Sequence, residues 1–311
     1  MLVLLSAGGK GPRLRPLTLG RLPSLLPVAN RPLILHHLAA YQRQGLPVLV
    51  AGGGAMAGIR AVVGTEHGHV QYTASDEQSG LAAAARLAAA RGCDLVMVVP
   101  VDVLVDLDAA RLRAAHVQGG HDLTVVELPG PSAIWIVSAA KLVGLKIAAH
   151  TLADLAAAGS VHRFPAPADA VVLSHPRAYL EANARVVTGT SAFTPAGRPA
   201  GDGIWAGPGA RIGQDTVIAG PLAVGARAIL RGARVEGWAA IGDGCAVERG
   251  AVLRRTVVQE YCYIGRGVQL EDCIIGTETL IGEGARLSRM VVAADSIIAR
   301  GSAGLETGEV S

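Results

Sequence analysis

Apolar runs of strand length alternate with helical patterns along residues 1–187. Strands are expected at residues 2–6, 47–51, 69–73, 94–100 and 122–127. Helices are expected at residues 32–44, 80–90 and 106–118, the first of them opened by Pro32 and closed by Gly45. Strands that alternate with helices in this way favour a doubly wound α/β domain around a parallel sheet.

A different period begins after residue 203, where aliphatic residues recur every 17 positions. One row is Val247, Ile264, Ile281 and Ile298, a second is Leu253, Leu270 and Leu287, and a third is Val224, Ile241, Val258, Ile275 and Val292. The steps between rows are six, six and five residues, so each coil carries three anchors. Three rows in register predict a triangular parallel β-helix whose core is a stack of aliphatic side chains.

Glycines follow many of these anchors, for example at Gly225, Gly242 and Gly276, and we expect them at corners where a side chain would be costly. Residues 188–203 (TGTSAFTPAGRPAGDG) contain turn residues without periodicity and are expected to form a linker. The predicted organisation is therefore an α/β domain at 1–187, a linker at 188–203 and a β-helix at 204–311.

The composition of the chain narrows the classes of function. Only three of the 28 basic residues are lysines, and aromatic residues make up 3% of the 311 positions. Because nucleic-acid bases stack on aromatic side chains, nucleic-acid binding is not expected. The four cysteines show no CxxC spacing and no histidine partner, which disfavours a metal site. No signal peptide is apparent and no window approaches 18 consecutive apolar residues, so we expect a cytoplasmic protein without membrane contact.

The turn after the first predicted strand carries candidate chemistry. It begins at Ala7, contains Gly8, Gly9 and Gly11, and is followed by Arg13. Glycine-rich turns can present backbone N–H groups to phosphate oxygens, and an arginine adds a charged, forked donor. Many plain loops share this pattern, so the surrounding residues decide its interpretation.

This turn, followed by the segment LLPVANRPL at residues 25–33, closely resembles the sugar-1-phosphate nucleotidylyltransferases, also called NDP-sugar pyrophosphorylases. Several members of that family carry a C-terminal left-handed β-helix, so the resemblance covers most of the chain. It implies a Rossmann-like domain and a reaction in which a sugar-1-phosphate oxygen attacks the α-phosphate of a nucleoside triphosphate and pyrophosphate leaves. Catalysis of this kind depends mostly on cations held in place.

Two further stretches are similar to elements of the family. Residues 78–84 (QSGLAAA) resemble its base-binding element, which implies that Gln78 contacts the nucleotide base and that Gly80 lets the ring approach the backbone. Asp102, at the end of a predicted strand, resembles the family's magnesium-binding aspartate. The resemblance thus implies Mg²⁺ on Asp102, catalytic roles for Arg13 and Asp102, and nucleotide binding by Ala7, Gly8, Gly9, Gly11, Arg13, Gln78 and Gly80.

The sequence departs from the family at the charged positions. The family's phosphate-binding lysine falls on Pro23, and the lysine of its Glu-Lys-Pro element best matches Leu128. The place of the second metal-binding aspartate is taken by Val172, and Asp169 stands three residues out of register. The nucleotide side of the site is therefore partly kept, but its cations and second carboxylate are missing.

The sugar side is shortened as well. Residues 132–136 (SAIWI) match the family's sugar-binding strand without its asparagine and glycine, and residues 126–132 leave room only for a tight turn. Losing one preorganised charge partner typically lowers a rate by about 10²–10³, and two lysines with a metal ligand could amount to roughly 10⁵ or more. We therefore expect negligible turnover and a regulatory subunit that binds a nucleoside triphosphate or an NDP-sugar.

Two alternatives stay open: an active enzyme in which Arg21 or Lys10 compensates, and a ligand-free assembly scaffold. Acyl transfer is disfavoured, because residues 204–311 contain no histidine to act as a base. The flat sides and open ends of a β-helix invite pairing, so a homo-oligomer or a complex with an active relative is expected. Nucleotide binding without turnover would distinguish a regulator from a scaffold.

Overall fold

A computed structural model describes residues 1–9, 11–64, 70–73, 77–130, 132–144, 156, 159–305 and 309–310. By its packing the chain divides into two compact units. The first unit comprises Met1–Gly11, Leu22–Leu25 and Pro32–Ser174. The second comprises Pro12–Arg21, Leu26–Arg31 and His175–Ser311. Among the described residues, no helix has the length and apolar character needed to cross a membrane.

Strands and helices follow one another through the first 174 residues. The strands are β1 (Leu2–Ser6), β2 (Pro27–Val28), β3 (Arg31–Pro32), β4 (Val48–Ala51), β5 (Val70–Thr73), β6 (Leu95–Pro100), β7 (Val103–Leu104), β8 (Leu123–Glu127), β9 (Ile134–Ser138), β10 (Val161–Pro165) and β11 (Val171–Val172). The α-helices are α1 (Leu33–Arg43), α2 (Met56–Val63), α3 (Glu77–Ala90), α4 (Ala109–Gln118) and α5 (Ala139–Gly144). Short 3₁₀ turns lie at Pro12–Leu14, Pro23–Leu25 and Gly53–Ala55.

Seven strands of the first unit form one sheet in the order β10-β8-β9-β6-β1-β4-β5. The pairs β6-β1, β1-β4, β4-β5 and β10-β8 are parallel, whereas β9 runs antiparallel to both β6 and β8. The predicted parallel α/β arrangement is confirmed, with each predicted strand and helix found within a few residues of its expected limits. His69, the first residue of one predicted strand, lies outside the described residues.

Small side chains set the distance between helix and sheet in the core of this unit. Ala84, Ala85 and Ala88 of α3 are almost completely buried and cluster with Leu2 and Leu4 of β1. An alanine face lets a helix lie close to a sheet, so aliphatic strand residues can fill the remaining volume at high packing density. This explains why a chain with few aromatic residues still builds a closed core.

Helix α1 contributes one polar contact to the end of strand β6. The Nε2 atom of fully buried His37 lies 3.0 Å from the carbonyl oxygen of Val101, the residue that follows β6. Burial lowers the pKa of His37 to about 4, against a smaller opposing effect of this hydrogen bond. The imidazole is therefore neutral near pH 7, and its Nε2–H donates to the Val101 carbonyl.

The second unit is built from short strands. They are β12 (Arg198–Gly201), β13 (Ile204–Ala206), β14 (Arg211–Ile212), β15 (Val217–Ala219), β16 (Leu222–Val224), β17 (Ile229–Leu230), β18 (Arg234–Ile241), β19 (Ala246–Val247), β20 (Val252–Val258), β21 (Tyr263–Ile264), β22 (Gln269–Glu271), β23 (Ile274–Ile275), β24 (Leu280–Ile281), β25 (Arg286–Ser288), β26 (Val291–Val292), β27 (Ile297–Ile298), β28 (Ala303–Leu305) and β29 (Glu309–Val310). From β13 onward their pairings are parallel, and we call residues 204–305 the coil region.

The 17-residue period predicted from the sequence is the register of this unit. Val247 pairs with Ile264, Ile264 with Ile281, and Ile281 with Ile298. All members of the three predicted rows are buried and belong to one apolar cluster. The stacked aliphatic core is therefore confirmed, while the left-handed sense of the coil stays a prediction.

The glycines that follow the anchors are explained by the neighbouring coil. A Cβ on Gly276 would lie 2.5 Å from the backbone nitrogen of Ala294, and one on Gly242 would lie 2.6 Å from the carbonyl carbon of Gln259. Neither glycine needs a positive φ. These residues are glycine because the backbone of the next coil passes too close for any side chain.

A further helix, α6 (Pro176–Val187), belongs to the second unit, although the sequence placed it in the first domain. Its fully buried Tyr179 donates a hydrogen bond of 2.5 Å to the carbonyl oxygen of Pro27, and the side-chain oxygen of Asn183 accepts one of 2.7 Å from Ala29 N–H. These bonds join α6 to the N-terminal segment of its own unit. Part of the predicted linker also forms structure, since β12 pairs with β13.

Replacing Gly276 with alanine should destabilise the second unit by about 3 kcal/mol, because the new methyl group would overlap the backbone of the next coil. Gly267 is the matched control: its φ is +63° and an added Cβ meets nothing within 4 Å. Gly267→Ala should cost only about 1 kcal/mol, from its left-handed backbone. Urea unfolding curves measure both losses, and equal losses would contradict the close-approach explanation.

The neutral His37 makes stability depend on pH. Its folded pKa of about 4 lies below the ordinary value of 6.5, so protons bind preferentially to the unfolded chain. The contribution of neutral His37 to the free energy of unfolding is complete above pH 6.5 and falls by about 3 kcal/mol as the pH drops towards 4. His37→Gln keeps an N–H donor without titrating, so its free energy of unfolding should fall less over that range. Identical pH slopes for the two proteins would refute this assignment.

Candidate functional site

The centre of the first sheet contains a change in winding direction. From β1 the chain proceeds to β4 and β5 on one side, and later returns to place β6 on the other side of β1. The connections that leave the carboxyl ends of the parallel strands β1 and β6 therefore lead to opposite sides of the sheet. Ligands of open α/β sheets bind in the crevice that such a switch point creates.

The glycine-rich turn begins at this edge. Ser6 pairs with Ala51 of β4 and with Pro100 of β6, and the next residue, Ala7, donates its backbone N–H to the carbonyl oxygen of Ala51 at 2.8 Å. A Cβ on Gly8 would lie 2.8 Å from the carbonyl oxygen of Gly52, so Gly8 must be glycine. The turn thus leaves β1 with its backbone pressed against the loop after β4.

The next two glycines of the turn have different roles. An added Cβ on Gly9 would meet nothing within 4 Å, and this residue is exposed. Gly11 has a φ of +53°, a conformation that favours glycine. Gly8 is therefore required by close packing and Gly11 by its backbone conformation. Gly9 is open to solvent, so the outer backbone of the turn remains accessible to a ligand.

A second glycine loop, Gly52-Gly53-Gly54, follows β4 and was not identified as part of the site from the sequence. Gly53 has a φ of +52°, and Gly52 packs against Met56 and Ile59 of α2. The signal for it was present, since three consecutive glycines after a buried strand mark a special backbone. Two glycine loops therefore lie side by side at the carboxyl edge of the sheet.

Gly80 sits within α3 and faces the sheet. A Cβ there would lie 3.0 Å from the Cβ of Ala51 and 3.7 Å from a methyl carbon of Leu4. The close packing of α3 against β1 and β4 is thus a sufficient reason for glycine at this position. Contact of Gly80 with a nucleotide base stays a prediction, and the side chain of Gln78 lies outside the described part of the structure.

Asp102 is held in the turn after β6, adjacent to the glycine turn after β1. Its carboxylate oxygen Oδ2 accepts a 2.8 Å hydrogen bond from the hydroxyl of Ser132, and its carbonyl oxygen accepts one of 2.7 Å from Leu173 N–H. The preceding carbonyl, of Val101, is the one bound by neutral His37. Neither the contact of Ser132 nor that of His37 was predicted from the sequence, because both arise only when distant segments pack together.

The place of the second metal-binding carboxylate is apolar. Val172 is 4% exposed and pairs with Val103 in the antiparallel ladder of β11 and β7. Within the described residues, no three His, Cys, Asp or Glu side chains converge as a metal site. Mg²⁺ is commonly held by one or two carboxylates together with substrate phosphates. Asp102 alone fits that arrangement only if a nucleotide supplies the remaining oxygens.

Both candidate cations that the structure describes belong to the second unit. Arg13 is exposed in the 3₁₀ turn Pro12–Leu14 and belongs to the second unit. Arg21, also of that unit, binds both carboxylate oxygens of Glu260 at 2.8 and 3.1 Å. Lys10 lies outside the described residues. Arg21 is therefore already engaged in an ion pair and is a poor substitute for a phosphate-binding lysine.

The position of the family's first lysine is closed to solvent. Pro23 and Ser24 are buried in the 3₁₀ turn Pro23–Leu25, which contacts α1. Within the part of the chain that the structure describes, the Ser24 hydroxyl has no hydrogen-bond partner. Neither side chain presents a positive charge.

Strands β8 and β9 of the first sheet form an antiparallel hairpin. Val126 of β8 pairs with Ile134 of β9, which leaves a short connection between the two strands. Glu127, at its start, forms an ion pair of 3.3 Å with Arg163. The connection is short, as the sequence leads us to expect, and Leu128, at the place of the second family lysine, adds no charge.

Two comparisons relate the chain to known proteins. No curated protein matches the chain. Residues 2–133 match the family model described as Nucleotidyl transferase. That range contains both glycine loops, Gly80, Asp102 and Ser132, and it supports a nucleotidyltransferase-like function. The match thereby supports placing the N-terminal part of this chain in the nucleotidyltransferase family.

Proposed function

We propose that this chain is a relative of the sugar-1-phosphate nucleotidylyltransferases that binds a nucleoside triphosphate or NDP-sugar with negligible turnover and serves as a regulatory subunit. One observation carries the proposal. The glycine turn and Asp102 lie on the adjacent carboxyl ends of β1 and β6, whereas the place of a second carboxylate is taken by buried Val172. The features suited to holding phosphates are kept, and those suited to stabilising a transition state are missing.

The residues of this edge have separable roles in binding. The accessible backbone of Gly8 and Gly9 offers N–H donors to phosphate oxygens, as in other glycine-rich anion sites. Asp102, oriented by the Ser132 hydroxyl, would hold Mg²⁺ bound to the nucleotide phosphates. When bound, this ion would supply positive charge to those phosphates. Neutral His37 fixes the turn that carries Asp102 without adding a charge of its own.

Weak turnover follows from the charge distribution. Phosphoryl and nucleotidyl transfer need cations aimed at the charge that develops on transferring and leaving oxygens. In the first unit, Pro23 and Leu128 occupy the two lysine positions, and Arg21 of the second unit is bound to Glu260. Arg13, also of the second unit, is exposed, and a single exposed guanidinium does not replace a preorganised set of cations.

A regulatory role requires a protein partner. A subunit that binds the same nucleotide as an active relative, but does not consume it, can report ligand concentration through an interface. We propose that the coil region winds left-handed, as in members of the family, and supplies the surface for pairing with a second copy or with the active relative. Isologous pairing of such flat faces is the common route to small symmetric oligomers.

Nucleotide binding is the first test. Calorimetric titration of the full chain with the common nucleoside triphosphates and NDP-sugars should give micromolar, magnesium-dependent binding for at least one of them. Asp102→Asn should weaken it about tenfold or more and remove the dependence on magnesium, because the carboxylate charge is lost while the acceptor for Ser132 is kept. The matched control is Asp169→Asn, which changes a half-buried aspartate that is out of register with the family's second metal ligand. This variant should bind nucleotide normally. Absence of binding to every nucleotide would favour the scaffold alternative.

Turnover is measured separately as pyrophosphate release with each pair of nucleoside triphosphate and sugar-1-phosphate. The expected rate is roughly 10⁵ lower than that of an active nucleotidylyltransferase assayed alongside, since two lysines and one carboxylate are missing. The control is the same preparation shown to bind nucleotide by calorimetry. Magnesium-dependent release at a rate comparable to the active enzyme would overturn the regulatory proposal and favour compensation by other basic residues.

A further inference from the structure

The second unit contains a cavity of about 750 Å³ between helix α6 and the coil region. Its helical side is formed by residues at the start of α6, including Arg177 and Leu180. The coils contribute Arg255, Ile274 and Arg289. All lining residues belong to the second unit, and none of them is part of the glycine turn, the second glycine loop or the turn of Asp102. Its volume is within the usual range for sites that bind small molecules.

One of the three arginines is fixed by acidic neighbours. The guanidinium of Arg255 donates to both carboxylate oxygens of Asp272 and to one oxygen of Glu271, each at 2.7 Å. All three residues line the cavity, where they form a cluster held by three hydrogen bonds and with a net charge of −1. Carboxylates held in this way still have lone pairs free, and those lone pairs accept hydrogen bonds from the hydroxyl groups of a ligand.

The other two arginines are differently placed. Arg177 lies on the helix and Arg289 on a turn of the coil, and in the part of the chain that the structure describes neither forms an ion pair. Both side chains are exposed, so their charge is available to a ligand entering from solvent. Two guanidinium groups on one cavity are suited to a phosphate, which accepts forked hydrogen bonds from arginine.

The remaining lining residues limit the ligand's size and kind. Ile274 is 2% exposed and forms an apolar floor together with half-buried Val291 and Leu180, while Ser288 adds a hydroxyl. None of the described lining residues carries a Phe, Tyr or Trp ring on which a nucleobase could stack. The lining is therefore better matched to a hydroxyl-rich ring than to a nucleoside.

We infer that this cavity is a second ligand site, for a phosphate ester of sugar size. Arg177 and Arg289 bind the phosphate, the carboxylates of Glu271 and Asp272 accept hydrogen bonds from sugar hydroxyl groups, and the apolar floor contacts the ring carbons. The inference does not depend on the proposed nucleotide-binding function, because none of its residues belongs to the first unit. With this site, the second unit, which contains the coil region, acts as a sensor for a sugar phosphate.

The test is calorimetric titration of the full chain with glucose-6-phosphate, with glucose and with inorganic phosphate as separate probes. Glucose-6-phosphate should bind with a Kd below about 1 mM and at least tenfold more tightly than either glucose or inorganic phosphate. Arg289→Gln and Arg177→Gln should each weaken its binding at least tenfold. Arg286→Gln is the matched control: it is an exposed arginine in the same stretch of coil that does not line the cavity.

Three results would overturn the inference. The first is no binding of glucose-6-phosphate, or binding no tighter than that of inorganic phosphate. The second is equal loss in Arg286→Gln and Arg289→Gln, which would indicate general surface charge. The third is loss of glucose-6-phosphate binding in Asp102→Asn with retention in Arg289→Gln, which would place the sugar phosphate at the first sheet. Nucleotide titration of the Arg289→Gln protein, where unchanged binding is expected, keeps the two sites distinguishable.

Discussion

The pairing of β1 with β4 on one side and β6 on the other is the constraint on which the candidate site depends. Ser6 stands opposite Ala51 and Pro100, so three strands end at one level of the sheet. The backbone hydrogen bonds of that ladder bring two glycine loops and the turn of Asp102 to one edge. The strands β1, β4 and β6 are buried on both faces, so a slip of one residue would disturb close packing on each face, and the core thereby fixes the level of this edge.

Much of this fold was predictable because its periodicities are local. Strand–helix alternation indicated the parallel sheet, and the spacing of Val247, Ile264 and Ile281 gave the register of the coils directly. Those inferences succeed because an inward-facing position must be apolar in every turn of a repeat. Residues 132–136 were matched to a strand of the family, but the antiparallel direction of β9 was not predicted. The strand β12 was missed, since it has no period that distinguishes it from its surroundings.

The site was predictable where it depends on single residues and unpredictable where it depends on pairs. Gly8 and Asp102 were identified from the chain, but the bond from Ser132 to Asp102 joins residues separated by a strand, a helix and another strand. Likewise, Arg21 was a candidate phosphate ligand until its ion pair with Glu260 was seen. A sequence shows which charges exist, whereas only the packed structure shows which of them are already neutralised.

The hydrogen bonds between α6 and the N-terminal segment have a consequence for biosynthesis. Pro27 and Ala29 emerge from the ribosome long before Tyr179 and Asn183, and Arg21 precedes its partner Glu260 by 239 positions. The backbone donors and acceptors of this early segment therefore remain without their protein partners until most of the chain has been made. Folding of this protein is not a simple succession of an N-terminal and a C-terminal module. For the same reason, a truncated chain ending at residue 174 would lack the partners that Arg21, Pro27 and Ala29 have in the full chain.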